Sequence, residues 1–299
     1  MRPSTMEHPG RRLRVLVACL VMACLALAGA SSAGAELNKG KVNKEDFLRF
    51  INCPITEGKV CTYGETLEGE FKMGTAGKSV PITNPTVLQG GLEAEGFGVY
   101  PLIPPRFGAL SLSKTPQPVP GGLTGLNEEV GGPVYAVAEL AGTPMVRPTA
   151  LGFGEHKAIE LPIKVHLENE QLGPNCYIGS DAEPVVIALW DGVTEPPEGV
   201  EPIEGKIGTV KAMDKNKIAM FEGNELVGNT FEAPAAKNCG TSPITEPIIT
   251  ALVNTAEGLP SPPGKNVARL KGNLFTAFSP DVAKYDKKAL KEKEKPKKK

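Results

Sequence analysis

Aromatic residues are scarce in this 299-residue chain: they form 5% of it, with one tryptophan, Trp190. Three histidines are its whole supply of imidazole. Carbohydrate platforms built from stacked rings and histidine-based metal centres have little material to draw on. A Gly-x-Ser-x-Gly nucleophile elbow is missing. Gly121-Gly122 and Gly131-Gly132 lack the Gly-Lys-Ser/Thr ending of a phosphate-binding loop. What is abundant excludes another class. The 34 glycines and 28 prolines make about a fifth of the chain, against roughly 12% on average, which rules out a long helical bundle or coiled coil. A hydrophobic content of 40% still allows a core.

Only one long apolar run occurs, at 15–30. Arg2, Arg11, Arg12 and Arg14 precede it against a single Glu7, and Ala33-Gly34-Ala35 follows it. This is the pattern of a secretory signal peptide, with cleavage expected after Ala35. The run is about 16 residues, short of the ~20 that cross a bilayer. Leu16-Val17-Ala18-Cys19 fits a lipobox, yet too few apolar residues precede Cys19. Arg14 stands where a twin-arginine signal wants an apolar side chain, so general secretion is favoured. The expected location is extracellular or associated with the cell envelope.

Cys19 and Cys24 would leave with the signal. Cys53, Cys61, Cys176 and Cys239 remain, an even count that in an exported chain reads as disulfides. Four cysteines allow three pairings. The short turn between Cys53 and Cys61, with Pro54 and Gly58, favours a local bridge, leaving Cys176 to pair with Cys239. The Cys-x7-Cys spacing is not that of a zinc knuckle.

The near-neutral total charge of −1 hides an asymmetry. Residues 36–280 hold 20 basic and 29 acidic groups, a net −9, which does not suit nucleic-acid binding. Residues 281–299 hold nine lysines and four acids. They read as a Lys-rich, largely disordered tail, partly helical over 287–295, that either solubilises the protein or meets an anionic envelope surface.

The body reads as short strands. Leu67, Gly69, Phe71 and Met73 alternate with Glu68, Glu70 and Lys72. Ile159, Leu161, Ile163, Val165 and Leu167 alternate with outward Glu160, Lys164, His166 and Glu168, and Pro162 suggests an edge strand. The continuous apolar run 185–190 suggests a central, buried one. Residues 96–125 form a Pro/Gly-rich loop. Two short helices are expected, at about 43–51 and 245–257. The second is capped by Thr245, closed by Gly258, and buried through Ile248, Ile249, Leu252 and Val253. An apolar-charged-Gly-polar-apolar pattern recurs around Gly69, Gly205 and Gly272, where a glycine on the apolar strand face would leave room for a bulky neighbour or mark a bulge. The fold class is mainly β, a β-sandwich-like arrangement of antiparallel sheets in one disulfide-stapled domain, 36–280, with a split near 120–133 as the alternative.

Chemistry is hard to find. His156 and His166 could meet only if the chain folded back between them, and the body's acidic residues fix no catalytic pair by spacing. No catalytic, cofactor or metal residue is assigned; the only site residues are the four cysteines. The segments 172–180 (LGPNCYIGS), 228–240 (GNTFEAPAAKNCG) and 257–266 (EGLPSPPGKN) resemble a group of secreted proteins of high-GC Gram-positive (actinobacterial) bacteria. The resemblance covers about a third of the chain. It implies export and a β-rich fold but no activity, and two of its segments carry Cys176 and Cys239. The first functional expectation is a non-enzymatic envelope or extracellular module for binding or structure. The alternatives are a binder of an apolar small molecule or lipid, with the 96–125 loop over a sandwich or barrel mouth, and an envelope hydrolase.

Overall fold

The computed structural model describes residues 42–76, 78–94, 98–122, 131–153 and 157–293. The expected signal peptide, its cleavage point and His156 lie outside them. Strand accounts for 40% of the chain and helix for 13%, so the mainly β expectation holds.

One sheet runs β11 (Thr209–Met213), β12 (Ile218–Gly228), β14 (Val267–Phe278), β1 (Val60–Lys72) and β2 (Ser79–Pro81), with β3 (Thr86–Leu92) pairing the first half of β1. The other is centred on β8 (Ile159–Glu168). On one side β8 pairs β6 (Val134–Leu140) and β7 (Met145–Val146); on the other it pairs β10 (Val185–Leu189) and β9 (Tyr177–Ile178). Three short strands extend this sheet: β5 (Gln117–Val119) beside β6, β4 (Tyr100–Pro101) beside β7, and β13 (Ala236–Lys237) beside β9. Every pairing is antiparallel.

The alternation of β8 is as the sequence predicts, with Ile159, Leu161, Ile163, Val165 and Leu167 buried. Its position is not. Pro162 marks the middle of the sheet rather than an edge. Proline lacks an N–H and is usually excluded from central strands. Here the missing donor would point between β6, which stops at Leu140 opposite Ile163, and β7, which begins at Met145 opposite Glu160. The short connection from Ala141 to Pro144 fills that gap, and the Ala141 N–H donates to the Pro162 carbonyl. The run at 185–190 is also placed differently. β10 ladders only with β8, and Val186 is 45% exposed.

The first sheet is bent by two bulges, between Thr66 and Glu68 in β1 and between Glu222 and Asn224 in β12. The bulge in β1 sends Leu67 outward, 41% exposed, where simple alternation would have put it inside. Gly272 of β14 lies between them, opposite both Thr66 and Asn224. A Cβ there would stand 1.8 Å from the Glu65 carbonyl oxygen. The glycine thus makes room for neighbouring backbone, not for a bulky side chain, and lets the sheet coil at its bulges.

The sandwich is closed along both sides. On one, Trp190 and Val227 join β10 to β12. On the other, the Pro-rich stretch expected as a loop laces the sheets together. It leaves β4, pairs Ile103 with Gly91 and Leu112 with Leu88 along β3, and returns to the second sheet as β5. Gln117 pins its end: Oε1 accepts from the Thr83 and Asn84 N–H groups and Nε2 donates to the Asn84 carbonyl.

The 3₁₀ helix Lys44–Phe50 and the C-terminal helix lie on the outer face of the first sheet. Asn43 caps the 3₁₀ helix by accepting from the Glu45 N–H. Phe47 and Phe50 pack there with Ile218, Phe275 and Val282 in a second core. We number the α-helices α1 (Ala150–Phe153), α2 (Glu246–Glu257) and α3 (Ser279–Lys293). Helix α3 begins well before the helical stretch expected in the Lys-rich tail. Its first turns are held by Val282 in the core, by Tyr285 stacked on Phe47, and by Asp286 paired with Arg106 at 2.5 Å. Arg106 also donates to the Ile51 carbonyl, so one guanidinium ties the lacing segment, the 3₁₀ helix and α3 together.

Both disulfides are formed in the favoured pairing, Cys53–Cys61 and Cys176–Cys239. They fit an oxidising compartment. No helix among the described residues is long and apolar enough to cross a membrane.

Candidate functional site: an apolar cavity between the sheets

The inward rows of the two sheets do not meet everywhere. Between them lies a cavity of about 420 Å³. The second sheet contributes the β8 row and Val134, Ala136 and Ala138 of β6. The first contributes Leu88 of β3, Phe71 of β1, Phe221 of β12 and the β14 row Leu270, Gly272 and Leu274. The reason for the void can be read position by position. Gly64, Ala136, Ala138, Ala219 and Gly272 all line it, and none has a side chain long enough to reach across. The wall of the first sheet stays only half-buried at Phe71, Leu88, Leu270 and Leu274, which pack on the core from one side.

The wall chemistry is narrow. It is aliphatic over most of its area, with phenylalanine the only aromatic type and no tyrosine or tryptophan. Such a surface suits a flexible hydrocarbon better than a sugar or a charged molecule. Threonines 62, 66, 86 and 276 add hydroxyls along the β1, β3 and β14 wall.

Helix α2 borders the cavity through Val253, Ala256 and Glu257. Its sequence signals are in place: Pro247 in the first turn and Gly258 in the left-handed conformation at the C-terminus. Thr245 makes no side-chain cap to the helix; its hydroxyl and that of Ser242 bond each other. The buried stripe is narrower than the sequence suggests. Ile249 and Val253 pack on the core, while Ile248 and Leu252 are each 59% exposed. The Cys176–Cys239 bridge holds the chain before the helix, where the Cys239 N–H donates to Thr250 Oγ1 and that hydroxyl donates back to the Cys239 carbonyl.

At the C-terminal end of α2, Glu257 and Lys78 both line the cavity. Burial raises the Glu257 carboxyl above the ordinary range, while the Lys78 charge and backbone N–H act in the opposite direction. The Lys78 ammonium donates to the Pro120 carbonyl. The lining is thus mostly apolar, and its charged members are Glu257 and Lys78 beside α2 and Glu65, Lys211 and Lys217 on the first sheet and its β11–β12 turn.

Neither an imidazole site nor a metal site assembles among the described residues. His166 stands on the outward face of β8, stacked on Tyr177 with ring centroids 4.5 Å apart. Its Nδ1 lies 3.5 Å from Glu168, and Nε2 is buried without a hydrogen-bond partner. No group of three or more His, Cys, Asp or Glu side chains converges there or elsewhere among these residues.

The most perturbed carboxyl lies apart from the cavity. Asp191, next to the seam residue Trp190, is 2% exposed, and neither carboxyl oxygen has a hydrogen-bond partner among the described residues. Burial pushes it up to about 6. Sequence reading passed over Asp191, since a single Asp after an apolar run resembles any strand end. The sequence allows a sandwich cavity, as a mouth under the 96–125 loop, but does not identify the residues that line it. No protein-family model, curated protein sequence or solved structure matches the chain.

Proposed function

We propose that this is an exported, non-enzymatic binding protein that carries a flexible aliphatic ligand between its two sheets. The observation that supports this reading is the cavity itself. A void of about 420 Å³ falls within the usual ~300–1,000 Å³ of small-molecule sites. A purely structural module would be expected to fill its core, because voids lining apolar side chains cost packing. Burying hydrocarbon is worth about 0.8 kcal/mol per methylene, so a chain of modest length suffices for micromolar binding. Glu257 and Lys78, both in the lining, suit an amphiphile with a polar head group. Export is supported by the N-terminal sequence pattern and by the two disulfides.

The reading is tested by titrating the purified protein with cis-parinaric acid, whose fluorescence rises in apolar surroundings. One saturable site is expected. Ala138→Phe, on the inward row of β6, places a ring in the void and should weaken binding at least about tenfold, while stability changes by less than about 1.5 kcal/mol. Absence of saturable binding would refute the proposal, as would an affinity indifferent to Ala138→Phe.

A further inference from the structure

Helix α2 has two apolar faces, and only one of them is used by the fold. The inner face supplies Ile249 to the core, and Val253 and Ala256 to the cavity. On the outer face, Ile244 in the turn before the helix is 81% exposed, and Ile248 and Leu252 are each 59% exposed. These three recur every four residues and form one edge. Every exposed residue between 243 and 256 is uncharged. The one charged side chain in that stretch, Glu246, is partly buried, with Oε1 3.4 Å from Thr250 Oγ1. Surface helices normally cover their outer face with charge, and a contiguous apolar patch marks a contact surface.

We infer that α2 docks the protein on a lipid bilayer, with the Ile244–Ile248–Leu252 edge entering the acyl region while the cavity exchanges its aliphatic ligand at Ala256. This rests on the cavity reading above. Two observations and one physical argument choose a bilayer as the occupant. Ala256 is both exposed and part of the cavity wall, so the cavity reaches the surface beside the patch. A ligand matched to an aliphatic wall has little solubility in water, and its store is a membrane. The stretch 243–257 contains two acids and no Lys or Arg. Docking by this edge is therefore driven by burial of aliphatic side chains rather than by charge, and it favours neutral lipid.

The experiment uses vesicles of pure phosphatidylcholine. Co-flotation of the protein is measured at low and high salt, and transfer of cis-parinaric acid from vesicle to protein is followed in time. The same readings are taken on Ile248→Ser/Leu252→Ser, which changes only exposed positions. Uptake of the probe from buffer is measured on both proteins and reports the cavity alone. The expected result is salt-independent flotation of the parent protein, reduced roughly tenfold or more in the variant, with slower transfer and unchanged uptake from buffer. Three results would overturn the proposal while leaving the cavity reading intact. One is the lack of flotation by the parent protein. Another is equal flotation of both proteins. The third is a dimer in solution that the variant dissolves without any effect on vesicles, which would assign the edge to a second copy of the chain.

Discussion

Trp190 and Val227 exchange both of their backbone hydrogen bonds, at 2.8 and 2.7 Å, and so stitch β10 of one sheet to β12 of the other. In an antiparallel strand the N–H and C=O of one residue point to the same side. The Val227 amide is thus committed to the seam and not to β14 on its opposite flank. Val227→Pro removes one seam bond and leaves the β12–β14 ladder its own bonds. We expect a loss of about 3 kcal/mol in urea unfolding. The Trp190 amide should then exchange with deuterium at least tenfold faster, while amides of β1 and β14 keep their relative order of protection.

Gly272 sets the bend of the first sheet, and a methyl group there collides with the Glu65 carbonyl. Backbone cannot yield as a flexible side chain can. Gly272→Ala should therefore cost more than about 3 kcal/mol, at the upper end for a single substitution. The control is Gly199→Ala, in a turn where nothing lies within 4 Å of the added atom. Its positive φ predicts a smaller loss of about 1 kcal/mol. Urea midpoints of the two variants give the comparison.

The Cys176–Cys239 bridge spans 63 residues of sequence, against 8 for Cys53–Cys61. Restriction of the unfolded chain grows with the loop, and the longer bridge should contribute about 4 kcal/mol. The double replacement Cys176→Ser/Cys239→Ser should lower Tm by about 8–16 °C, at about 2–4 °C per kcal/mol for a chain this size. Replacing Cys53 and Cys61 should lower it less. Since Thr250 bonds the backbone of Cys239, proteolysis of the first variant should begin near α2.

Asp191 makes stability depend on pH in a definite sense. Its carboxyl is raised from 3.8 to about 6 by burial, so the folded state holds the proton more tightly than the unfolded one. The contribution of this group is most favourable below the unfolded value of 3.8, declines as pH rises toward 6, and is flat above that. The full swing is on the order of 3 kcal/mol. Asp191→Asn removes the charge and should raise stability at pH 7 by about 1–2 kcal/mol. Unfolding curves at pH 5 and pH 7 should then differ less in the variant than in the parent. An unchanged difference would show that another group controls it.

Much of the architecture is visible in local sequence signals. The inward row of β8, the cap at Asn43, the left-handed stop at Gly258 and the pairing of the four cysteines all follow from contacts a few residues away or from simple counting. The departures come from relations between distant segments. Pro162 reads as an edge residue because its missing donor is a local fact, whereas the gap between β6 and β7 that accommodates it is not. Leu67 reads as buried until a bulge shifts its register. Ile248 and Leu252 read as core because the width of an apolar stripe says nothing of how much of it has a partner. The cavity is the clearest case. Val165 and Ile163 look the same in sequence whether a leucine or empty space lies opposite. Only the gathering of small residues along one cavity, Ala136 and Ala138 from one sheet with Gly64 and Gly272 from the other, distinguishes the two, and that gathering requires the fold.

The void also has a mechanical meaning. A folded state that encloses empty space occupies more volume than its unfolded chain in water, so hydrostatic pressure works against it. With the sheets tied along both sides, by Trp190–Val227 on one and by the lacing segment on the other, their walls cannot slump together to erase that space. Pressure should therefore unfold the protein more readily than one with a filled core, and substitutions that fill the cavity, such as Ala138→Phe, should lessen that sensitivity.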